Sequence, residues 1–377
     1  MDDDAPNRPI ARVEDAGLVP AGGPARLALS RLPRASEIAD AVASARGVST
    51  WIEGRLVVTA VPSRLVDAAG RVGGRELAEL LGGAVVPAVE AWLGSPPDVE
   101  TPAGTLPTSQ RPVVMGVLNV TPDSFSDGGE HVGPARHPDE AVATGLELLE
   151  AGADVIDVGG ESSRPGADAV EVDEERGRVL PVIERLAAQG AIVSVDTTKS
   201  QVAREAVGAG AAMINDISAG ALDGLLLATV ADLGVPYVLM HMRGTPRTMQ
   251  RDPRYTDVVG EVYDFLADQL LRLEEVGVDP AKVVVDPGIG FGKTVEHNLQ
   301  LLRRLREFSS LGHPVLVGAS RKSFLGTVSG EDDPAGRLAE SLAAASLAVA
   351  GGARILRVHD VAETCRAVQV AQAVASA

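Results

Sequence analysis

The chain has 377 residues, 45% of them hydrophobic and 23% charged, which excludes disorder as its main state and allows one large domain or two. Its 52 Asp and Glu against 34 Lys and Arg give a net charge of −18, so nonspecific nucleic-acid binding is disfavoured and an anionic ligand would need a local cluster of cations. A single cysteine, Cys365, allows neither a disulfide framework nor a Cys-rich zinc site.

The opening Met-Asp-Asp-Asp places no basic stretch before an apolar run, and no later segment reaches about 18 uninterrupted apolar residues. A cytoplasmic protein with no membrane partner is therefore expected. Residues 36–45 have helical spacing, 49–61 read as one strand, and 63–94 read as helix interrupted by Gly pairs. These predict a small α/β extension over 1–105. It contains no His, Cys or Lys, so it reads as structural and not catalytic. Residues 95–112, with five prolines and little to pack into a core, read as the linker to a second unit over 106–377.

From 113 onward, eight apolar runs (113–120, 154–160, 192–197, 213–218, 236–242, 282–288, 314–320 and 353–360) alternate with helix-like segments such as 139–153 and 298–308. Apolar strands alternating with helices imply a parallel sheet covered by helices. Eight units over about 265 residues match an α/β fold of the (β/α)8 TIM barrel type. The alternative, a doubly wound open sheet, lacks a Gly-x-Gly-x-x-Gly after its first run. Residues 336–353 are apolar nearly all round, which predicts a helix buried by its own domain or by a partner.

The C-terminal ends of barrel strands share one mouth. Almost every run here ends in polar residues: Asn119 and Asp123; Asp157, Glu161, Ser163 and Arg164; Asp196; Asn215 and Asp216; His241 and Arg243; Asp286; Arg321 and Lys322; Arg357 and His359. Any one of them alone could be a helix cap or a turn residue. As a set they point further, because Asp196, Asn215 and Asp286 lie in or beside apolar strands, where an unpaired polar group costs about 1 to 3 kcal/mol.

Two carboxylates and an amide suit a flat heterocycle with a guanidine-like edge. Arg164, Arg321, Lys322, Arg357 and His359 form the cation cluster that an anion requires. Asn119, with Asp123 nearby, suits magnesium, which takes few protein oxygens and completes its shell with phosphate and water. Phe125 and Phe291 sit in Gly-flanked loops, where a stacking or lid role and plain loop anchoring both fit. The segments 121–129 and 160–166 are small and polar, as loops closing over a substrate would be and as ordinary connections also are.

In content and order these motifs resemble the dihydropteroate synthases: MGVLNVTPDSFSDGG from 115, DVGGESSRPG from 157, SVDTTKS from 194, INDIS from 214, MHMRGTP from 240, DPGIGFGK from 286, GASRKSFLG from 318 and RVHD from 357. The resemblance implies a TIM barrel that joins 4-aminobenzoate to 6-hydroxymethyl-7,8-dihydropterin pyrophosphate, with Mg2+ as cofactor. Ionisation of the pterin carbon–oxygen bond would precede attack by the amine.

Carried over by motif, Asp196, Asn215, Asp286 and Lys322 would form the pterin pocket. Arg357 would stack on the ring, and Met240 and Phe291 would line it. Arg357, His359 and Asn119 would hold the pyrophosphate, Asn119 through magnesium. Phe125, Ser163, Arg164, Pro165 and Ser323 would meet 4-aminobenzoate, and Ser163 stands where the family usually has Thr, which implies a looser site there. The resemblance also implies a homodimer through C-terminal helices and says nothing about residues 1–105. Two rivals are a pterin-binding methyltransferase barrel and a non-catalytic pterin-binding paralogue. Ser-Arg-Lys at 320–322 and both mouth loops disfavour the first, and the full anion set disfavours the second.

Overall fold

A computed structural model describes residues 10–14, 25–30, 48–52, 55–60, 84–85, 87–121, 137–162, 166 and 169–375. The first sheet is antiparallel, in the order β1-β2-β4-β3, from β1 (Ile10–Glu14), β2 (Ala25–Ser30), β3 (Val48–Ile52) and β4 (Arg55–Ala60). The single strand read over 49–61 is thus two, with Trp51 opposite Leu56.

The segment read as a linker is a hairpin. β5 (Val99–Thr101) pairs with β6 (Gly104–Leu106), and its flanks are tied by Ser109 N to Asp98 Oδ1 at 2.8 Å and by Thr108 Oγ1 to the Pro97 carbonyl at 2.6 Å. Val99 and Leu106 are fully buried, among inward-facing barrel residues that include Val113, Val155, Met213 and Ile355. They close the floor of the barrel, and so the Pro-rich composition concealed two core residues.

Eight parallel strands follow: β7 (Val113–Asn119), β8 (Val155–Gly159), β9 (Val193–Asp196), β10 (Met213–Asp216), β11 (Tyr237–Met240), β12 (Val283–Asp286), β13 (Leu316–Val317) and β14 (Ile355–Val358). They run in the order β12-β11-β10-β9-β8-β7-β14-β13, and a bridge between Val285 and Val315 closes the ring. The expected (β/α)8 barrel is present.

Side chains alternate along a strand, so each strand sends one set inward and the other toward the helices. Outward residues such as Val114, Ile156, Val193, Ile214, Leu239 and Val283 pack into the main core. Inward residues change character with height. Val155, Met213, Val238, Val284 and Ile355 are apolar at the floor, and two residues on, in the same phase, stand Asp157, Asn215, Met240, Asp286 and Arg357. One period-two register therefore builds a dry floor and a mostly polar mouth.

Besides the helical residues 87–93 that precede the hairpin, the chain has the barrel helices α1 (His137–Glu150), α2 (Val172–Ala188), α3 (Ser200–Gly208), α4 (Leu226–Leu233), α5 (Val258–Glu275), α6 (Val295–Arg303), α7 (Ser323–Ser329), α8 (Leu338–Ala350) and α9 (Val361–Ala375). The helix read over 298–308 is split: α6 ends at Arg303 and a 3-10 segment covers Leu305–Leu311. No helix among the described residues is long and apolar enough to cross a membrane.

The extension is anchored to this barrel. Tyr263 of α5 donates its hydroxyl hydrogen to the Ala11 carbonyl at 2.8 Å, and Ala11 and Val13 are buried. Arg12, also buried, stands 3.4 Å from both Asp257, which precedes α5, and Glu307 of the 3-10 segment. Arg304 meets the same two carboxylates at 3.0 and 2.6 Å.

Candidate active site

The mouth is organised around Asp157, whose side chain is completely buried. Its Oδ2 accepts from Asn215 Nδ2 at 3.0 Å and from Arg357 Nε at 2.6 Å. Arg357 also donates from Nη2 to Asp196 Oδ2 at 2.7 Å, so one guanidinium joins the ends of β8, β9 and β14. Burial pulls the Arg357 proton affinity down, but Asp157 and Asp196 outweigh that and the net shift is upward. The guanidinium stays charged.

Asp196 behaves differently from an ordinary carboxyl. Burial pushes it up to about 7, Arg357 opposes this, and the charges of Asp157, Glu175 and Asp216 add to the rise. Asp286, at the end of β12, is also raised by burial, against Lys322 and the Gly288 N–H, which donates to its Oδ1 at 2.7 Å. Across the mouth, burial pulls Lys322 down to about 8 despite Asp286. Asp196 and Lys322 thus titrate close to neutrality, which is where a site for acid–base or charge-stabilising chemistry needs them.

Lys322 immediately precedes α7 and donates to the Ile289 carbonyl, with its ammonium 4.4 Å from the centre of the Phe291 ring. Met240, 2% exposed, ends β11 beside Asp286 in register. His359 accepts from or donates to Ser320 Oγ through Nδ1 at 3.1 Å, and its backbone N–H reaches the same oxygen at 3.2 Å. Ser323 is exposed at the start of α7. Asn119 ends β7, and a Cβ at Gly159 would stand 3.7 Å from its Oδ1 and 3.6 Å from Asp196 Oδ2, so the glycine leaves an oxygen-lined space between them. Among the described residues no group of three His, Cys, Asp or Glu could hold a metal ion, so a cation at Asn119 would depend on ligand oxygens and water.

Several residues read as mouth residues lie elsewhere, among them His241, buried against Lys293, and Arg243, paired with Glu261 of α5. Arg321 turns away to Asp360, with Nε 3.0 Å from Oδ2, and its φ of 59° sets that direction, so it leaves the cation cluster. Asp216 is in the outward phase and accepts from Tyr237 OH at 2.7 Å, from Ser218 and from Gly220 N–H at 2.7 Å, which makes it a loop and core anchor. Phe125, Ser163, Arg164 and Pro165, with Asp123, lie outside the described residues.

Sequence reasoning placed Asp157 at the mouth without giving it a role. The signal for one was its phase: it is the only charged residue of β8 and points inward between Val155 and Gly159. Beside Asp196 lies a cavity of about 210 Å3, lined by Glu161, Thr197, Ile217, Leu222, Thr245 and Arg247 among others.

Comparison with known proteins gives this geometry a context. The family profile for pterin binding enzymes matches residues 115–359. The chain is 48% identical over 275 residues to the dihydropteroate synthase of Escherichia coli K12, covering 73% of this chain and 95% of that one. It is 45% identical over 265 residues to that of Synechocystis, covering 70% and 90%. A Xanthomonas albilineans dihydropteroate synthase solved with 4-aminobenzoic acid superposes with a TM-score of 0.69 at 50% identity, over 75% of this chain and all of that one. The same enzyme with 7,8-dihydropteroate gives 0.66 at 47% identity, over 74% of this chain and all of that one.

Proposed function

The chain belongs to the dihydropteroate synthase family, and from that premise we propose how its barrel mouth joins 4-aminobenzoate to 6-hydroxymethyl-7,8-dihydropterin pyrophosphate, releasing pyrophosphate and 7,8-dihydropteroate. The observation that carries the reading is the convergence of Asp196 and Asp286 with Asn215, Lys322 and Arg357 on one mouth. In this reading the carboxylates and the amide take the donor edge of the pterin. Met240 and Phe291 line it, and Arg357 covers the ring.

The pterin carbon–oxygen bond breaks first, with its electron pair leaving on the pyrophosphate. The cation left behind is delocalised over the pterin, and Asp196 and Asp286 stabilise it more than they stabilise the neutral ground state. Arg357 and His359 receive the growing negative charge. The amine lone pair of 4-aminobenzoate then closes the new carbon–nitrogen bond, and its surplus proton passes to the departing pyrophosphate. No protein base is required, because an aromatic amine has a free lone pair at neutral pH. Asn119 would hold a magnesium ion, which when bound supplies further charge for the leaving group. Ser323, together with Phe125, Ser163, Arg164 and Pro165, would meet 4-aminobenzoate.

The assay is dihydropteroate formation by the full chain from the two substrates. Product is expected, and none in the presence of magnesium rejects the reading. Asp196→Asn should lower turnover by about two to three orders of magnitude, as the loss of one charge-stabilising group does. The single cysteine fits a reducing cytosol as the compartment. A homodimer through α8 and α9 is part of the same reading, supported by Leu347, Val370 and Val374, which are 51%, 65% and 73% exposed. Light scattering on the full chain checks it, and a monomer at micromolar concentration removes it.

A further inference from the structure

Between β12 and α6 the chain forms an arch, Pro-Gly-Ile-Gly-Phe-Gly over 287–292. Three of its residues, Gly288, Gly290 and Gly292, have φ of +67°, +86° and +63°. Such a segment has little conformational preference of its own, so its shape depends on what its backbone binds. Four successive carbonyls are held. Ile289 O accepts from Lys322 Nζ, Gly290 O from Gln250 Nε2 at 2.8 Å, Phe291 O from Lys293 Nζ at 3.0 Å, and Gly292 O from Tyr255 OH at 2.9 Å.

Gln250 is exposed and Tyr255 partly so, but Lys293 is 2% exposed. Its Nζ lies 2.9 Å from His241 Nδ1 and 3.4 Å from the His241 carbonyl. Burial pulls both Lys293 and His241 well below their ordinary proton affinities. A neutral imidazole offers Nδ1 as an acceptor, and an amine has hydrogens for it and for Phe291 O in either protonation state. Burying an amine without partners costs several kcal/mol, so these two bonds fix its place. Above it, the arch holds Lys322 from two sides: by the Ile289 carbonyl and by the Phe291 ring.

We propose that Lys293 is a positioning residue of the pterin site: by tying Phe291 O to His241 it holds the arch in the shape that places Lys322 and the Phe291 ring over the mouth. The inference rests on the reading of that mouth as a pterin site. It requires that a defect in Lys293 reach the pterin and spare the pyrophosphate, whose residues Arg357, His359 and Asn119 are held by other strands.

The test is binding of the pterin pyrophosphate and, separately, of inorganic pyrophosphate to the full chain by calorimetry, for the native protein and for Lys293→Met. Pterin affinity should fall about tenfold, as loss of one hydrogen-bonded support does, with pyrophosphate affinity unchanged within about twofold. Equal losses for both ligands, or none for either, overturn the proposal. If Lys293→Met does not melt cooperatively, Tyr255→Phe takes its place: it removes a different bond to the same arch and should weaken the pterin alone, by a smaller factor. Unchanged pterin binding in that variant overturns the proposal as well. A native chain that binds no pterin pyrophosphate would instead reject the functional reading beneath it.

Discussion

Arg357 Nε lies 2.6 Å from Asp157 Oδ2, joining two strands whose residues are 200 positions apart in the chain. Asp157 presents no surface to solvent, and the same oxygen takes the Asn215 amide. One buried carboxylate therefore orients two of the groups that the proposed function assigns to the pterin. Asp157→Ala should cost about 3 kcal/mol of stability, because it leaves a guanidinium and an amide without their shared acceptor. Urea unfolding measures it. An unchanged midpoint together with unchanged pterin affinity would show that Asp157 orients nothing.

The pH dependence of kcat/KM for the pterin substrate reports the free mouth. Asp196 is held up at about 7 chiefly by burial, so activity should rise as pH climbs through that value and the carboxylate forms. Lys322 is pulled down to about 8 chiefly by burial, so activity should fall as pH passes it and the ammonium is lost. The expected profile is a narrow bell with its maximum between the two. Asp196→Asn should remove the acid limb and leave the alkaline one in place. A profile with both limbs unmoved in that variant contradicts the assignment.

The extension should contribute to stability through Arg12. Its side chain is 3% exposed and its partner Glu307 is completely buried, so solvent screens the pair little. The 3.4 Å separations and the help of Arg304 reduce what the bond is worth. Arg12→Met should lower stability by about 2 kcal/mol, below the range of about 3 to 5 kcal/mol for a broken buried pair. Differential scanning calorimetry of the full chain gives the shift, and an unchanged Tm would mean that β1 rests on the barrel without holding it.

Two glycines with left-handed backbone separate strain from collision. Gly277 has φ +90° and nothing within 4 Å of an added Cβ, whereas Gly288 has φ +67° and the His241 carbonyl oxygen 1.9 Å from that position. Alanine at Gly277 should cost only about 1 kcal/mol, the backbone penalty. Alanine at Gly288 adds a clash that the arch must move to relieve, so it should cut pterin affinity as well as stability. Equal effects of the two substitutions on pterin affinity would show that the arch does not shape the site.

The barrel and most of its mouth were legible in the sequence because both rest on short-range regularities. A period of two along each strand assigns Asp157, Asn215, Asp286 and Arg357 to the same inward set as the apolar residues two positions before them. The same local rules merged β3 and β4 of the extension into one run and took the hairpin for a linker, since Val99 and Leu106 stand alone among prolines and polar residues.

Tertiary structure decided which polar groups pair. Asp157 meets Arg357 only because the ring closes β14 onto β7 and β7 onto β8. Arg321 leaves the mouth because a left-handed backbone turns it to Asp360, while the adjacent Lys322 enters it. Lys293 reads as one more loop lysine until folding sets it under the arch against His241. The physical reason is common to all three: direction along a strand is a property of neighbours in sequence, whereas the partner of a buried charge is chosen by which distant strand the closed sheet brings within 3 Å.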